Sequence, residues 1–242
     1  MSTPGLLLVF AEPGAVTEAE FNDWYDNEHV PLRLPIPAFN TWTRYRAADG
    51  KTPAWAAAYD LESYDATLTA PYTTLAETRS EREKRVLRDV DVLERRTYEA
   101  YAGNSKLTAP SALFDPSRPA RFASIASVAV DEADEDEFNR WYDEEHIPAI
   151  STIPGWVRSR RFVLKDWSRG GVKGAEEKTP VMKFLAIHEY AHTEGVDAEE
   201  TRAIFDTPWT KKVMGEMFKG FELRMFEFHK KWERDGSVTD SL

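Results

Sequence analysis

Histidine is the side chain whose unperturbed pKa puts its charge change near neutrality, and this chain has five histidines and no cysteine. Two of the five stand in the same setting. His29 closes the run Trp24-Tyr25-Asp26-Asn27-Glu28-His29, and His146 closes Trp141-Tyr142-Asp143-Glu144-Glu145-His146. On a helix, Phe21, Tyr25 and His29 are four apart and share a face, as do Phe138, Tyr142 and His146. Each aromatic stripe therefore ends in an imidazole at the last helical turn. The helix C-terminus and a nearby carboxylate favour imidazolium, whereas burial against aromatics opposes it. An imidazole under such opposed influences is expected to titrate near neutrality, where a general acid or base works best. The reading is His146 as general base or acid, oriented by Glu145, with Tyr142 and Trp141 lining a pocket. His29, Glu28, Tyr25 and Trp24 form the equivalent first set. The same aromatics would also serve as plain core packing, and Glu28 and Glu145 as partners of backbone at the proline turn. Asp26 and Asp143 are expected to face solvent or cap the following turn.

The two motifs belong to a repeat. Residues 20–45 align without a gap on residues 137–162 at an offset of 117, and the similarity resumes at Lys51-Thr52-Pro53 against Lys178-Thr179-Pro180. Near the ends, Leu93–Glu99 matches Phe221–Glu227 at an offset of 128. The growth in offset marks an insertion in the second copy, assigned to Lys165–Glu177, which could act as a lid. Arg44 and Arg161 occupy matching places, as do the pairs Glu94/Arg96 and Glu222/Arg224. Such matched charges suggest a buried ion-pair network; alternatively, Arg161 or Arg224 holds a substrate carboxylate. The second copy also has His188 on a strand whose first-copy counterpart lacks histidine. His188 is read as a second proton-transfer group or as a core histidine, and His229 as surface. His188 and His192, four apart, would suit a metal only on a helix, so no metal site is assigned.

The elements that must position these groups follow from pattern. Leu6–Ala11 reads as a buried strand. Thr17 through Glu20 has capping-box form, so a helix is expected over Glu18–His29 and is expected to stop before Pro31. Strands are expected at Phe39–Ala47, Ala54–Leu61 and Asp91–Tyr101, with an irregular, then helical, Tyr64–Val90 between the last two. The second copy repeats this, with strands at Arg121–Val130, Trp156–Leu164, Val181–Tyr190 and Phe221–His229. Its helices are expected at Ala133–His146 and Ala198–Met217, the latter interrupted at Pro208. The order strand-helix-strand-strand-helix-strand is the split βαβ arrangement. The fold class is α+β: two ferredoxin-like βαββαβ repeats, residues 1–103 and 120–232, joined by a proline-containing linker, 104–119, and followed by a polar, unstructured tail, 233–242. Each repeat leaves one sheet face bare. Two in one chain can close an intramolecular dimeric α+β barrel, giving a monomeric pseudo-dimer or, with further pairing, a homodimer.

Composition limits the function. A net charge of −11 argues against nucleic acid and anionic membranes as partners. No secretory leader or membrane span is expected, since Leu6–Phe10 is too short for either. With no cysteine, disulfides, thiolate metal sites and a cysteine nucleophile are excluded; a cytoplasmic location fits. Phosphate loops and dinucleotide fingerprints are lacking, so no cofactor is expected.

The motif Trp-Tyr-Asp-x-Glu-His-(Val/Ile)-Pro, followed by Ile-Pro and an arginine-bearing strand, resembles the EthD-like branch of the dimeric α+β barrel superfamily. The resemblance covers both copies, and departs from the usual single-domain form in being a tandem fusion. It implies similarity to cofactor-free isomerases, cyclases, decarboxylases and monooxygenases of muconolactones or aromatic polyketides. In the methylmuconolactone isomerases the histidine of the equivalent helix motif belongs to the active site, a role that would fall on His29 and His146. The function so expected is cofactor-free acid–base chemistry, as a lyase or isomerase performing decarboxylation, dehydration, cyclisation or isomerisation, on a small aromatic or polyketide-like molecule. The alternatives are a cofactor-independent monooxygenase of phenolic substrates and a non-catalytic small-molecule-binding or stress-response barrel protein.

Overall fold

A computed structural model describes residues 2–101, 103, 108–196 and 199–241, except for the side chain of Glu200. Its contacts form two compact units that do not follow chain order. The first comprises Met1–Ala100, Leu164–Val181 and His229–Leu242; the second comprises Tyr101–Val163 and Met182–Phe228.

In the first unit, β1 (Gly5–Glu12), β2 (Trp42–Ala47), β3 (Trp55–Leu61) and β4 (Val92–Ala100) lie in the order β2-β3-β1-β4, and the pairs β1–β3, β1–β4 and β2–β3 are antiparallel. Between β1 and β2 runs α1 (Glu18–Trp24), and before β4 runs α2 (Glu81–Asp89). Thr17 caps α1, its hydroxyl accepting from the Glu20 amide at 3.2 Å. Alternation along β1 sends Leu7, Val9 and Ala11 to the helix side, where they pack with Phe21, Trp24, Tyr59 and Val86. The insertion extends a strand and then turns at Gly171, whose φ of +88° needs glycine. It is tied down within its own unit: Val172 and Lys173 donate backbone hydrogen bonds to Val90 and Asp91, and the Lys173 ammonium pairs with Asp91 at 2.6 Å. The tail is not unstructured, since residues 238–240 pair with Lys230–Trp232.

β5 (Phe122–Val130) pairs with both β7 (Phe184–Tyr190) and β8 (Phe218–Trp232), and β6 (Trp156–Gly170) pairs with β7; the second unit holds β6 as far as Val163 and β8 as far as Phe228. The order is β6-β7-β5-β8. The helices are α3 (Glu135–Trp141), α4 (Ile147–Ile150), α5 (Glu199–Ile204) and α6 (Pro208–Lys212); β9 is Val238–Asp240. The helix expected from Ala198 begins at Glu199; Ala198 itself, like linker residues 104–107, lies outside the described residues. Among the described residues no helix is long and apolar enough to cross a membrane.

In both units the motif helix departs from α geometry at the same place. Tyr25–His29 and Tyr142–His146 form π-helical turns. The widened turn brings residues five apart together, so Trp24 meets His29 at 4.4 Å and Trp141 stacks on His146 at 4.2 Å between ring centroids. Pro148 does not end the second helix, because it falls in the first turn of α4, where a missing N–H costs nothing.

Candidate functional site

The second unit holds a cavity of about 110 Å³ between β5, β7, β8 and the helices. The inner wall carries Ser124, Ala126, Trp141, Tyr142, His146 and His188. Phe205, Phe221 and Leu223 line the mouth and are 39–47% exposed. A cavity of this size class accepts roughly one aromatic ring.

The repeat explains why the hole is there. Ser124 lies opposite His188 across β5–β7 just as Leu7 lies opposite Tyr59 across β1–β3. Ala126 stands where the first copy has Val9, and Ser159 where it has Trp42. In the first unit Leu7, Val9, Trp42 and Tyr59 are all buried in one hydrophobic cluster. The second copy has Ser124, Ala126, Ser159 and His188 in their places, which exchanges bulk for space and polarity.

Two imidazoles meet at this wall. His146 is 7% exposed and its Nδ1 has no hydrogen-bond partner among the described residues. Trp141 stacks on one side of it, Tyr142 stands edge-on at 4.9 Å, and His188 lies 6.0 Å away between ring centroids. His188 is held through Nδ1 by Ser159 Oγ at 2.8 Å, and Ser159 Oγ accepts from Trp156 Nε1–H at 3.0 Å. Burial, then His188 and Arg161, hold His146 well below the usual imidazole range. Burial, then Arg161, push His188 down to about 4. The expected balance near neutrality is thus resolved by desolvation, and both rings are neutral at pH 7. Burial raises the Tyr142 phenol to about 12, so it stays protonated.

Glu145 does not orient His146. Its Oε1 accepts from Thr207 Oγ1 at 2.6 Å and Thr210 Oγ1 at 2.9 Å, and Thr207 is the N-cap of α6. Glu28 likewise accepts from Ser80, the N-cap of α2. These glutamates tie the motif helix to the next one. The third position of that next helix then separates the copies. In the first it is Glu83, whose Oε1 takes His29 Nδ1 at 3.0 Å. In the second it is Thr210, which accepts from Trp141 Nε1 and leaves His146 without a carboxylate. Burial, followed by Arg33, Arg44 and Arg79, depresses His29 as well.

The arginines stand apart from the cavity. Arg161 is buried between the rings of Tyr101 and Tyr142, at 4.3 and 4.2 Å, and bonds Asp143 at 3.3 Å and Asn139 at 2.5 Å. Arg224 is buried over Phe226 and lies opposite Ile125, on the other face of β5 from Ser124 and Ala126. Asp143 and Asp26 do not face solvent freely: the first pairs with Arg161, the second with Lys230 at 2.6 Å and Arg44 at 3.7 Å. Glu94 takes both Arg96 and Arg169 within the first unit. His192 is 45% exposed beside Glu194, while His229 is half-buried against Trp55. Among the described residues no group of three His, Asp or Glu could hold a metal. Ser124 and Ser159 were not picked out from sequence, although Ser159 stands against Trp42 inside the gapless block.

No family profile and no curated protein matches the sequence. Solved structures do match in fold. An anthrone oxidase-like protein superposes with a TM-score of 0.62 at 10% identity, over 100% of this chain and 98% of that one. A candidate monooxygenase from Lactobacillus acidophilus gives 0.56 at 12% identity, over 99% and 100%. A chlorite dismutase variant from Candidatus Nitrospira defluvii gives 0.58 at 10% identity, over 94% and 92%. The chain therefore has a fold of the dimeric α+β barrel type.

Proposed function

We propose that the second unit is a catalytic site that takes a small, flat, largely apolar aromatic molecule and removes a proton from it. One observation carries this reading: a pair of buried, neutral imidazoles lines an aromatic-walled cavity, and the unit's sister copy fills the same positions with core residues. A neutral imidazole is ready to accept a proton. The positive field of Arg161 that disfavours imidazolium at both histidines also favours an anion formed between them. A substrate carbon made acidic by a conjugated carbonyl, as in polyketide-like aromatics, suits a base of this strength. The products would be those of decarboxylation, dehydration, cyclisation or isomerisation.

A second reading is favoured by the anthrone oxidase-like and monooxygenase-type relatives in fold. There the substrate anion gives its electrons to dioxygen, one oxygen atom entering the product and the other leaving as water. The motif favours the EthD-like branch, and the two copies, as ferredoxin-like repeats 1–103 and 120–232, would serve together in one chain. Incubation with one-ring ketones and phenols, such as acetophenone and hydroquinone, tests the proposal. Mass spectrometry in D₂O reads proton exchange, and ¹⁸O₂ reads oxygen insertion. Exchange or product lost in His146→Gln supports it. Binding without exchange or product would favour a ligand carrier, and no binding would remove the site altogether.

A further inference from the structure

We infer that Ser159, backed by Trp156, fixes His188 with its proton on Nε2, so that His188 donates a hydrogen bond to an oxygen of the bound molecule while His146 takes the proton. This deepens the catalytic reading above and rests on it for the role of His146. The tautomer itself follows from the hydrogen-bond inventory alone.

The indole N–H of Trp156 can only donate, and its bond to Ser159 Oγ at 3.0 Å occupies one lone pair there. The 2.8 Å contact between Ser159 Oγ and His188 Nδ1 then has two forms. If Nδ1 carried the proton, the serine oxygen would accept twice and its own O–H would have no acceptor among the described residues. If the serine hydroxyl donates to a bare Nδ1, all three groups are satisfied. Ser159 is only partly buried, so leaving its hydroxyl unmet disfavours the first form by roughly 5-fold. The neutral ring accordingly favours its proton on Nε2, for which the described residues offer no partner.

His188 lines the cavity, 3% exposed, so an N–H on Nε2 can be met only by something bound there. The rest of the wall supplies aromatic and aliphatic surface beside His146 and the Ser124 hydroxyl. A ligand that satisfies the site therefore carries a carbonyl or phenolate oxygen on an aromatic frame. In the reaction, a C–H bond conjugated to that oxygen breaks. Its proton goes to a ring nitrogen of His146, and its electron pair moves onto the oxygen that His188 holds. No other reactant is needed to balance this step. Ser159 is thus a positioning residue, and its first-copy counterpart, Trp42, has no hydroxyl with which to do the same.

Protein labelled with ¹⁵N at histidine, with no ligand added, tests the tautomer through long-range ¹H–¹⁵N spectra, His188 being assigned by its loss in His188→Gln. A pyrrole-type Nε2 and a pyridine-type Nδ1 are expected, and Ser159→Ala should shift the His188 nitrogens while leaving those of His29 in place. A pyrrole-type Nδ1 in the wild type overturns the inference, whatever the protein turns over. The oxygen contact is tested with acetophenone against α-methylstyrene, which differ only in C=O for C=CH₂. The ratio of acetophenone to α-methylstyrene affinity should be roughly 5- to 10-fold higher in the wild type than in His188→Phe. An equal ratio in the two proteins would refute the donor role; loss of turnover with the difference intact would fault only the catalytic reading.

Discussion

Protonation of His188 offers a direct thermodynamic check on the buried site. In the folded protein this imidazole is pushed down to about 4 by burial and by Arg161; in the unfolded chain it titrates near its ordinary value of about 6.5. Between those values the unfolded state holds the extra proton, so stability rises with pH. The contribution is fully present above pH 6.5 and is lost as pH falls towards 4. At about 1.4 kcal/mol per pH unit, the full loss is about 3 kcal/mol, and some 2 kcal/mol of it falls between pH 7 and 4.5. The fold also explains the direction chemically: a protonated His188 could no longer accept from Ser159, and would place a charge 6.0 Å from His146. The assay is urea unfolding of the wild type and His188→Gln at pH 7 and pH 4.5. His29 titrates in both proteins, so the difference between the two slopes reads His188 together with its effect on the neighbouring His146. Wild type should lose about 2 kcal/mol more than the variant across that interval. Parallel losses would mean that His188 is hydrated in the folded protein and that the cavity wall is not as described.

Further outcomes follow from the same geometry. His146→Gln should lower turnover by roughly 10²–10⁴-fold with thermal stability retained, and wild-type kcat/KM should stay level through the ordinary imidazole range instead of falling there. Ser124→Leu together with Ala126→Val restores first-copy bulk; calorimetry with acetophenone should show binding abolished and the Tm unchanged or raised. His29→Leu strands the Glu83 carboxylate and should cost about 1–3 kcal/mol in urea unfolding, with turnover retained. Exhaustive chelation should leave activity intact, whereas loss restored by one divalent ion would require a different chemistry.

Much of this was legible in the residues because the chain repeats itself. The capping residue Thr17 and the apolar run Leu6–Ala11 are local signals that tertiary structure reinforced. The pairing of His146 with His188 was half visible, since a histidine in only one copy already set the copies apart. What could not be read was orientation. Glu145 sits beside His146 in sequence, yet the π-turn and the hydroxyls of Thr207 and Thr210 draw its carboxylate to another helix. Arg161 looked available for an anion because nothing in the sequence shows Tyr101 closing over it. Ser124 and Ser159 went unread because small residues on a strand carry no periodic signal; only their sister residues, Leu7 and Trp42, reveal what was removed.

The unequal filling of the two copies has a consequence for how such a protein could arise. Opening a hole of about 110 Å³ costs about 2.6 kcal/mol at ~24 cal/mol per Å³. In an assembly of identical chains, every substitution that widens one hole widens its mate, and the burden doubles against a total stability of only about 5–15 kcal/mol. Joining the copies in one polypeptide removes that symmetry. One half can then stay solid and carry the folding stability, leaving the other free to accumulate small and polar residues around a ligand.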